Sequence, residues 1–157
     1  CPVRKSCVAF DSGRIGELPG KGVKRETPHR QTRMLVIHWR GEVLLEKRPP
    51  TGIWGGLWCL PEFPVEQDIF AALHTRFALK GRTVRELERV EHGFTHYTLS
   101  IFPVEIAITA LPLRAMEPGL MWIGFDDALD AAIPAPVKRI LQKLQSRRHS
   151  GDEPLVA

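Results

Sequence analysis

Two short apolar runs on either side of a turn constrain the fold of this chain more than any other feature. Residues 34–37 and 43–45 are continuously apolar, and the dipeptide Arg40-Gly41 stands between them. Runs of this length that are bounded by turn residues are typical of β-strands. The pattern therefore predicts a β-hairpin, or at least two successive strands.

A segment further along the chain has the period of a helix instead. Its apolar residues Val65, Ile69, Leu73 and Phe77 fall four apart, and Gly81 follows them as a C-terminal stop. Spacing of this kind places one apolar stripe along a helix. We predict a helix over residues 64–80.

The remaining apolar segments mix strand and helix character. β-Branched and aromatic residues predict strands over 57–60, 84–90, 97–108 and 120–123. Residues 126–132 are a short helical candidate, and Pro136 can be the first residue of a last helix. That helix has an apolar face formed by Val137, Ile140, Leu141 and Leu144. Strands with scattered helices indicate an α/β or α+β domain.

The length and composition of the chain bound its domain organisation. A chain of 157 residues that is 43% hydrophobic can bury one sizeable core. Residues 11–31 carry several glycines and prolines with no apolar period, so they predict a linker. We therefore expect a short segment over 1–10, the linker, one domain over 32–146, and a disordered tail over 147–157.

Charge, hydropathy and cysteine content limit the partners and the compartment expected for the protein. The formal net charge of +4 is compatible with a polyanionic partner, although such a balance is also common elsewhere. There is no apolar run of about 18 residues and no secretory leader, so we expect a cytoplasmic protein with no membrane partner. Three cysteines do not make a disulfide framework. Because the first residue is cysteine and not methionine, we expect a piece of a longer protein.

Three features together resemble the MutY family of adenine DNA glycosylases. They are Cys1 and Cys7 with five residues between them, the segment TGIWGGLWCLPEF at 51–63, and the tripeptide Phe94-Thr95-His96. The tripeptide resembles the family's Phe-Ser-His loop, with threonine in place of serine. The resemblance extends over nearly the whole chain. It implies the C-terminal domain of such an enzyme, with a Nudix-like mixed β-sheet flanked by helices.

The resemblance also implies a cofactor in the parent protein. Cys1 and Cys7 are similar to the last two ligands of the family's C-x6-C-x2-C-x5-C loop, which holds a 4Fe-4S cluster through four thiolates. Two ligands cannot close that site, so we expect no cofactor in this chain alone. Cys59 lies between Trp58 and Leu60 and is expected to be a small buried apolar residue instead of a ligand.

The Phe94-Thr95-His96 loop is implied to recognise 8-oxoguanine. This base has a carbonyl at C8 and an N–H donor at N7, where guanine has an acceptor. The hydroxyl of Thr95 can accept that hydrogen, but it can also donate, so discrimination requires its proton to be committed elsewhere. We expect His96 to contact a phosphate or orient the loop, and Phe94 to anchor the loop in the core or wedge against DNA.

The implied partners are double-stranded DNA that contains adenine opposite 8-oxoguanine, and the N-terminal catalytic domain of the same protein. The family's catalytic Asp and Glu belong to that N-terminal domain, so no residue here is assigned as catalytic. Basic residues in and beside the linker suit phosphate contacts, and we assign DNA binding to Lys24 and Arg25. The others are Lys21, Arg30 and Arg33.

Two other classes of function stay open. One is a Nudix hydrolase of oxidised nucleotides, whose box resembles Gly-x5-Glu-x7-Arg-Glu-x-x-Glu-Glu-x-Gly and holds magnesium through carboxylates on a helix. Gly56 and Glu62 match the start of that box, but residues 69–82 contain no Asp or Glu. The other class is a protein-interaction module, with the linker as a docking strap.

Overall fold

The computed structural model describes residues 1–18, 27–110 and 117–149. Within these residues the strands form one eight-stranded mixed sheet. The strands are β1 His29–Trp39, β2 Glu42–Lys47, β3 Trp58–Cys59, β4 Glu62–Phe63, β5 Gly81–Glu86, β6 Val90–Gly93, β7 Thr98–Ile108 and β8 Leu120–Gly124. The α-helices are α1 Val8–Asp11, α2 Ile69–Phe77, α3 Phe125–Asp130 and α4 Ala135–His149, and two single 3-10 turns lie at Arg4–Ser6 and Ile15–Glu17.

The two longest strands, β1 and β7, lie side by side at the centre of the sheet and are parallel. Their register runs from His29 opposite Thr98 to His38 opposite Ala107. β2 and β4 pair antiparallel with β1, while β5 and β6 pair antiparallel with β7. β3 and β8 both pair with β2. The predicted hairpin is confirmed as β1 and β2.

The residues of β1 point alternately into two cores. Met34 and Val36 belong to a cluster that includes residues of α3 and α4, whereas Leu35 and Ile37 belong to a cluster that includes residues of α2. A strand that is covered on both faces needs apolar residues at successive positions. The continuous apolar run of the sequence is therefore explained by a sheet buried between helices, and the predicted α+β class is confirmed.

The predicted helix over 64–80 is shorter at both ends. The side chain of Asp68 accepts a hydrogen bond from the backbone N–H of Ala71 at 2.6 Å, which caps the N-terminus of α2. Ala78 ends the helix in the left-handed conformation, with φ of 54°. Gly81 is thus not the helix stop. It begins β5, where an added Cβ would come within 3.2 Å of the side chains of Ile106 and Leu73.

Three other predicted elements differ from the structure. The predicted strand over 84–90 is divided between β5 and β6, because three residues, 87–89, lie opposite two residues of β7, 102–103, and this interrupts the regular pairing. α3 begins and ends earlier than the predicted 126–132. α4 begins at Ala135, so Pro136 is its second residue, and the helix continues beyond the predicted end of order at residue 146. Residues 150–157 of the predicted tail lie outside the described residues.

A buried charge network holds the C-terminal end of α4 against the sheet. Glu105 on β7 has no exposed surface, and its carboxylate lies 2.7 Å from Arg85, 3.2 Å from His38 and 3.7 Å from Arg148. The guanidinium of Arg148 also lies 3.8 Å from the centroid of the Phe125 ring. These contacts explain why α4 stays ordered past residue 146.

Candidate nucleic-acid interface

A tight turn between β6 and β7 carries all three residues of the predicted recognition loop. The backbone N–H of Phe94 donates to the carbonyl of Tyr97 at 2.8 Å, which closes the turn. Thr95 and His96 are exposed at its apex, and Phe94 is half-buried against the core. The turn therefore presents one hydroxyl and one imidazole to solvent from a closed backbone.

Four aromatic side chains support this turn, and we call Trp54, His92, Phe94 and Tyr97 the aromatic cluster. Phe94 stacks on Tyr97 with 4.6 Å between ring centroids and 28° between planes. His92 meets Phe94 edge to face at 4.7 Å, and Trp54 lies 5.6 Å from Phe94. Pairs in these geometries contribute about 0.5–1.5 kcal/mol beyond the area they bury. The cluster ties the turn to the loop that carries Trp54.

The loop that carries Trp54 is itself closely constrained. Trp54 adopts a φ of 56°, in a backbone region that residues other than glycine rarely enter. Gly55 follows it where an added Cβ would lie 2.5 Å from the carbonyl oxygen of Pro50, so only glycine fits there. The backbone N–H of Gly56 donates to the carbonyl of Pro49 at 3.0 Å. The segment at 51–63 is thus an ordered loop that leads into a short strand, as predicted.

The end of the predicted linker lies beside the turn. The backbone N–H of Thr98 donates to the carbonyl of Pro28 at 2.9 Å, and Ser100 Oγ lies 3.1 Å from His29 Nε2. The guanidinium of Arg30 lies 4.7 Å from the centroid of the Tyr97 ring. The parallel pairing of β1 with β7 therefore brings a basic residue from the start of β1 to the recognition turn.

Sequence reasoning identified the tripeptide but not the residues around it. It assigned no role at this site to His92, Tyr97 or Trp54. A signal for Tyr97 and His92 was present, since both are aromatic and flank the tripeptide closely. Arg30 was among the basic residues expected to suit phosphate contacts, but no local signal placed it or Trp54 beside the turn, because their approach depends on strand pairing and loop geometry. Lys24 and Arg25, assigned to DNA, lie outside the described residues.

The three cysteines are not arranged as the ligands of a metal site. Cys1 is exposed and Cys7 is half-buried, and both are free thiols. Burial raises the pKa of the Cys59 thiol to about 12, so this residue is a neutral core side chain. Across 1–18, 27–110 and 117–149, no three His, Cys, Asp or Glu residues are grouped to hold a metal ion. Two thiolates do not fit a 4Fe-4S cluster, which needs four ligands.

The positions of a hydrolase box are filled by residues that cannot bind magnesium. Counted from Gly56 and Glu62, the Arg-Glu position of the box is occupied by Phe70-Ala71 and the Glu-Glu position by His74-Thr75. The one matching carboxylate, Glu62, pairs with Arg48 at 3.0 Å. Magnesium requires several oxygen ligands, and α2 supplies no carboxylate. The described helix therefore lacks the metal chemistry of the box.

Comparison with known proteins defines the class of the domain. A family model described as "NUDIX domain" matches residues 33–143, which includes the central strands, α2, α3 and most of α4. The chain belongs to the NUDIX domain family. Within the described residues, no helix is both long enough and apolar enough to cross a membrane.

Curated relatives give a narrower similarity. The chain is 25% identical to an adenine DNA glycosylase of Buchnera aphidicola subsp. Baizongia pistaciae (strain Bp), over 92% of this chain and 41% of that protein. It is 24% identical to the mouse adenine DNA glycosylase, over 85% of this chain and 28% of that protein. The chain thus spans well under half the length of these relatives.

A solved structure has the same fold. The C-terminal domain of mouse MUTYH, crystallised in complex with human PCNA, superposes with a TM-score of 0.62 at 23% identity. The match covers 76% of this chain and 89% of that domain. The resemblance to the C-terminal Nudix-like domain of the MutY family is confirmed by these matches together.

Proposed function

We propose that this chain is the lesion-recognition domain of an adenine DNA glycosylase, which binds 8-oxoguanine opposite adenine in duplex DNA. The observation that carries the proposal is the turn at 94–97, where Thr95 and His96 are exposed on an aromatic support. The names of the curated relatives support DNA as the polymer that is bound. A repair function of this kind places the protein with the nucleoid in the bacterial cytoplasm.

The chemistry of the base suits the exposed hydroxyl of Thr95. Within the described chain this hydroxyl has no hydrogen-bond partner, so it is available to accept from the N7–H of 8-oxoguanine. Because the hydroxyl could also donate to N7 of guanine, it discriminates between the bases only when its own proton is committed to another acceptor in the complex. A base contact of this kind contributes about 1–3 kcal/mol of discrimination.

The excision of adenine belongs, in this proposal, to another part of the protein. The catalytic domain flips adenine out of the helix and hydrolyses its glycosidic bond, while this domain holds the opposite base. The linker at 11–31 connects the two, and its residues Lys24 and Arg25 contact phosphates. The 4Fe-4S cluster of the parent, to which Cys1 and Cys7 contribute, lies on the catalytic side of this linker.

A pair of titrations tests the proposal. This chain is titrated with two duplexes that differ only in 8-oxoguanine or guanine opposite adenine, at matched salt. A tighter dissociation constant for the 8-oxoguanine duplex is expected. Two results together overturn the proposal. The folded chain binds the two duplexes equally, and the parent enzyme keeps its preference for 8-oxoguanine when this domain is deleted.

A protein-interaction module is the second candidate, and one observation favours it. Phe70 occupies the arginine position of the hydrolase box and is 51% exposed, so α2 presents a large apolar ring to solvent. The mouse domain was crystallised with human PCNA, so a protein is a further candidate partner for this chain. Titration of the chain with purified catalytic domain separates this role from DNA binding, and Phe70→Ser weakens only the protein complex.

A further inference from the structure

The start of β1 places a basic side chain on the recognition turn by stacking. The Arg30 guanidinium lies 4.7 Å from the ring centroid of Tyr97, and the Phe94 ring also stacks on Tyr97, at 4.6 Å between centroids. Arg30 precedes the turn by most of the length of the domain. Its position relative to Thr95 is therefore set by strand pairing and ring stacking.

The charge of Arg30 is uncompensated. Arg30 is exposed, and no carboxylate in the described part of the chain pairs with it. Other arginines of the domain are paired with carboxylates. Arg48 lies 3.0 Å from Glu62, and Arg85 lies 2.7 Å from Glu105. A guanidinium that is held on a ring and free of a protein anion retains its donors for an external anion.

We propose that Arg30 contacts a backbone phosphate of duplex DNA and that Tyr97 positions it, so that the turn meets the duplex in one register. The inference rests on the proposed function, because it assigns a role within the same site. A planar guanidinium matches the oxygens of a phosphate in bidentate geometry, and it stacks on aromatic rings at the same time. Phosphate contacts fix register and carry no information on base identity.

Arg40 provides a matched control at the other end of the same strand. Its guanidinium lies 4.6 Å from the Trp39 ring, and the residue is exposed, so it shares the local chemistry of Arg30. Arg40 directly follows β1, and nine residues of extended strand separate it from Arg30, a distance of about 33 Å. Arg30→Gln and Arg40→Gln remove the same charge from the same kind of ring contact at opposite ends of β1.

The salt dependence of binding distinguishes the two variants. Both are titrated with the 8-oxoguanine and guanine duplexes from 50 to 200 mM salt. Loss of one phosphate contact reduces the slope of log K against log salt by about 0.9, so the ratio of wild-type to Arg30→Gln affinity falls about 3.5-fold across this range. The change is the same for both duplexes, and Arg40→Gln retains the wild-type slope. An unchanged slope in folded Arg30→Gln, or equal losses in both variants, overturns the proposal.

The positioning role of Tyr97 has its own measurement. Tyr97→Leu removes the ring that Arg30 stacks on, and we expect it to weaken binding several-fold more in the wild-type background than in Arg30→Gln. Any general damage to the turn is common to both backgrounds and cancels. Equal losses in the two backgrounds exclude positioning by Tyr97. Arg30→Lys keeps the charge without the planar stack, so it restores the salt slope but only part of the affinity.

Failure of the phosphate contact and failure of lesion recognition give different results. If the wild-type chain binds both duplexes equally and the parent enzyme keeps its preference without this domain, the proposed function fails, whereas a reduced slope in Arg30→Gln still supports the phosphate contact. If the wild-type chain prefers 8-oxoguanine and the slope is unchanged by Arg30→Gln, only the inference about Arg30 fails. Urea unfolding curves for each variant establish that the compared proteins are folded.

Discussion

Thr95 is the residue on which discrimination between the two bases depends in the proposed function. Thr95→Val keeps the shape of the side chain and removes the hydroxyl, so the N7–H of 8-oxoguanine loses its acceptor. We expect the preference of the full-length enzyme for adenine:8-oxoguanine over adenine:guanine to fall by about 1–3 kcal/mol, roughly 5- to 150-fold. Dissociation constants for the two duplexes, measured at matched salt, give this preference directly.

A control for Thr95→Val is available on the opposite side of the sheet. Thr75 is exposed on α2, so Thr75→Val makes the same chemical change away from the turn and should leave the preference intact. Unfolding curves for both variants separate a lost contact from a lost fold. If folded Thr95→Val keeps the full preference, then Phe94, His96 or a backbone group of the turn becomes the better candidate for base recognition.

Glu105 is a buried carboxylate whose ionisation affects stability. Burial alone would raise the pKa of Glu105, but the nearby His38 imidazole and the Arg85 guanidinium outweigh burial, and the pKa is lowered. A carboxylate with a lowered folded pKa contributes stability above its unfolded pKa of about 4.3, and this stability is lost as the pH falls through the folded value. The network is therefore fully effective at neutral pH.

Glu105→Gln tests this pH dependence. At pH 7 it leaves Arg85 and Arg148 without their anion, and we expect a loss of about 3 kcal/mol in the free energy of unfolding. Below about pH 4 the Glu105 carboxyl of the unfolded chain takes up a proton while the folded carboxyl, with its lowered pKa, is still charged, so the difference between the two proteins should narrow. Urea unfolding at both pH values measures it. A difference that is the same at pH 7 and below pH 4 contradicts the role of ionised Glu105.

At the scale of elements, the sequence predicted the strands and helices that have a local apolar pattern. It did not predict the element ends that depend on backbone conformation and tertiary packing. The apolar runs identified β1 and β2 because both faces of these strands are covered. The period of four identified α2, but its ends were misplaced, because an alanine ends the helix and Gly81 serves close packing in β5. Left-handed alanine has no sequence signature, so the true end of α2 was not predictable.

The end of α2 offers a prediction about stability. Ala78 has a φ of 54°, a conformation that costs an alanine about 1–2 kcal/mol and costs glycine almost nothing. Part of this gain is offset because glycine is more flexible in the unfolded chain, so Ala78→Gly should stabilise the protein by roughly 0.5–1 kcal/mol. The same substitution at exposed, helical Ala71 should destabilise it by up to about 1 kcal/mol. Thermal or urea unfolding measures both, and destabilisation by Ala78→Gly would show that the helix end is not strained.

For the whole molecule, the candidate site was predictable only where it is contiguous in sequence. Phe94, Thr95 and His96 form one tripeptide, so a resemblance to a known loop was enough to locate them. Arg30 and Trp54 reach the same site through the parallel pairing of β1 with β7 and through a loop built on Gly55. Parallel pairing of distant strands leaves no periodic signal in a single sequence, which is why the surroundings of the turn emerged only from the structure.

The domain has the fold of the NUDIX domain family, but other residues stand at the carboxylate positions of the hydrolase box. These replacements predict that the chain does not hydrolyse nucleotides with magnesium. Ala71, His74 and Thr75 stand at the carboxylate positions of the box, and Glu62 is paired with Arg48. Since magnesium needs oxygen ligands to position a diphosphate, we expect no hydrolysis of 8-oxo-dGTP by this chain with magnesium. Release of pyrophosphate over time, at several protein concentrations, is the measurement. Turnover that scales with protein and disappears with a chelator contradicts the prediction if Glu62→Gln also abolishes it. Turnover that is unchanged in Glu62→Gln comes from a contaminating enzyme.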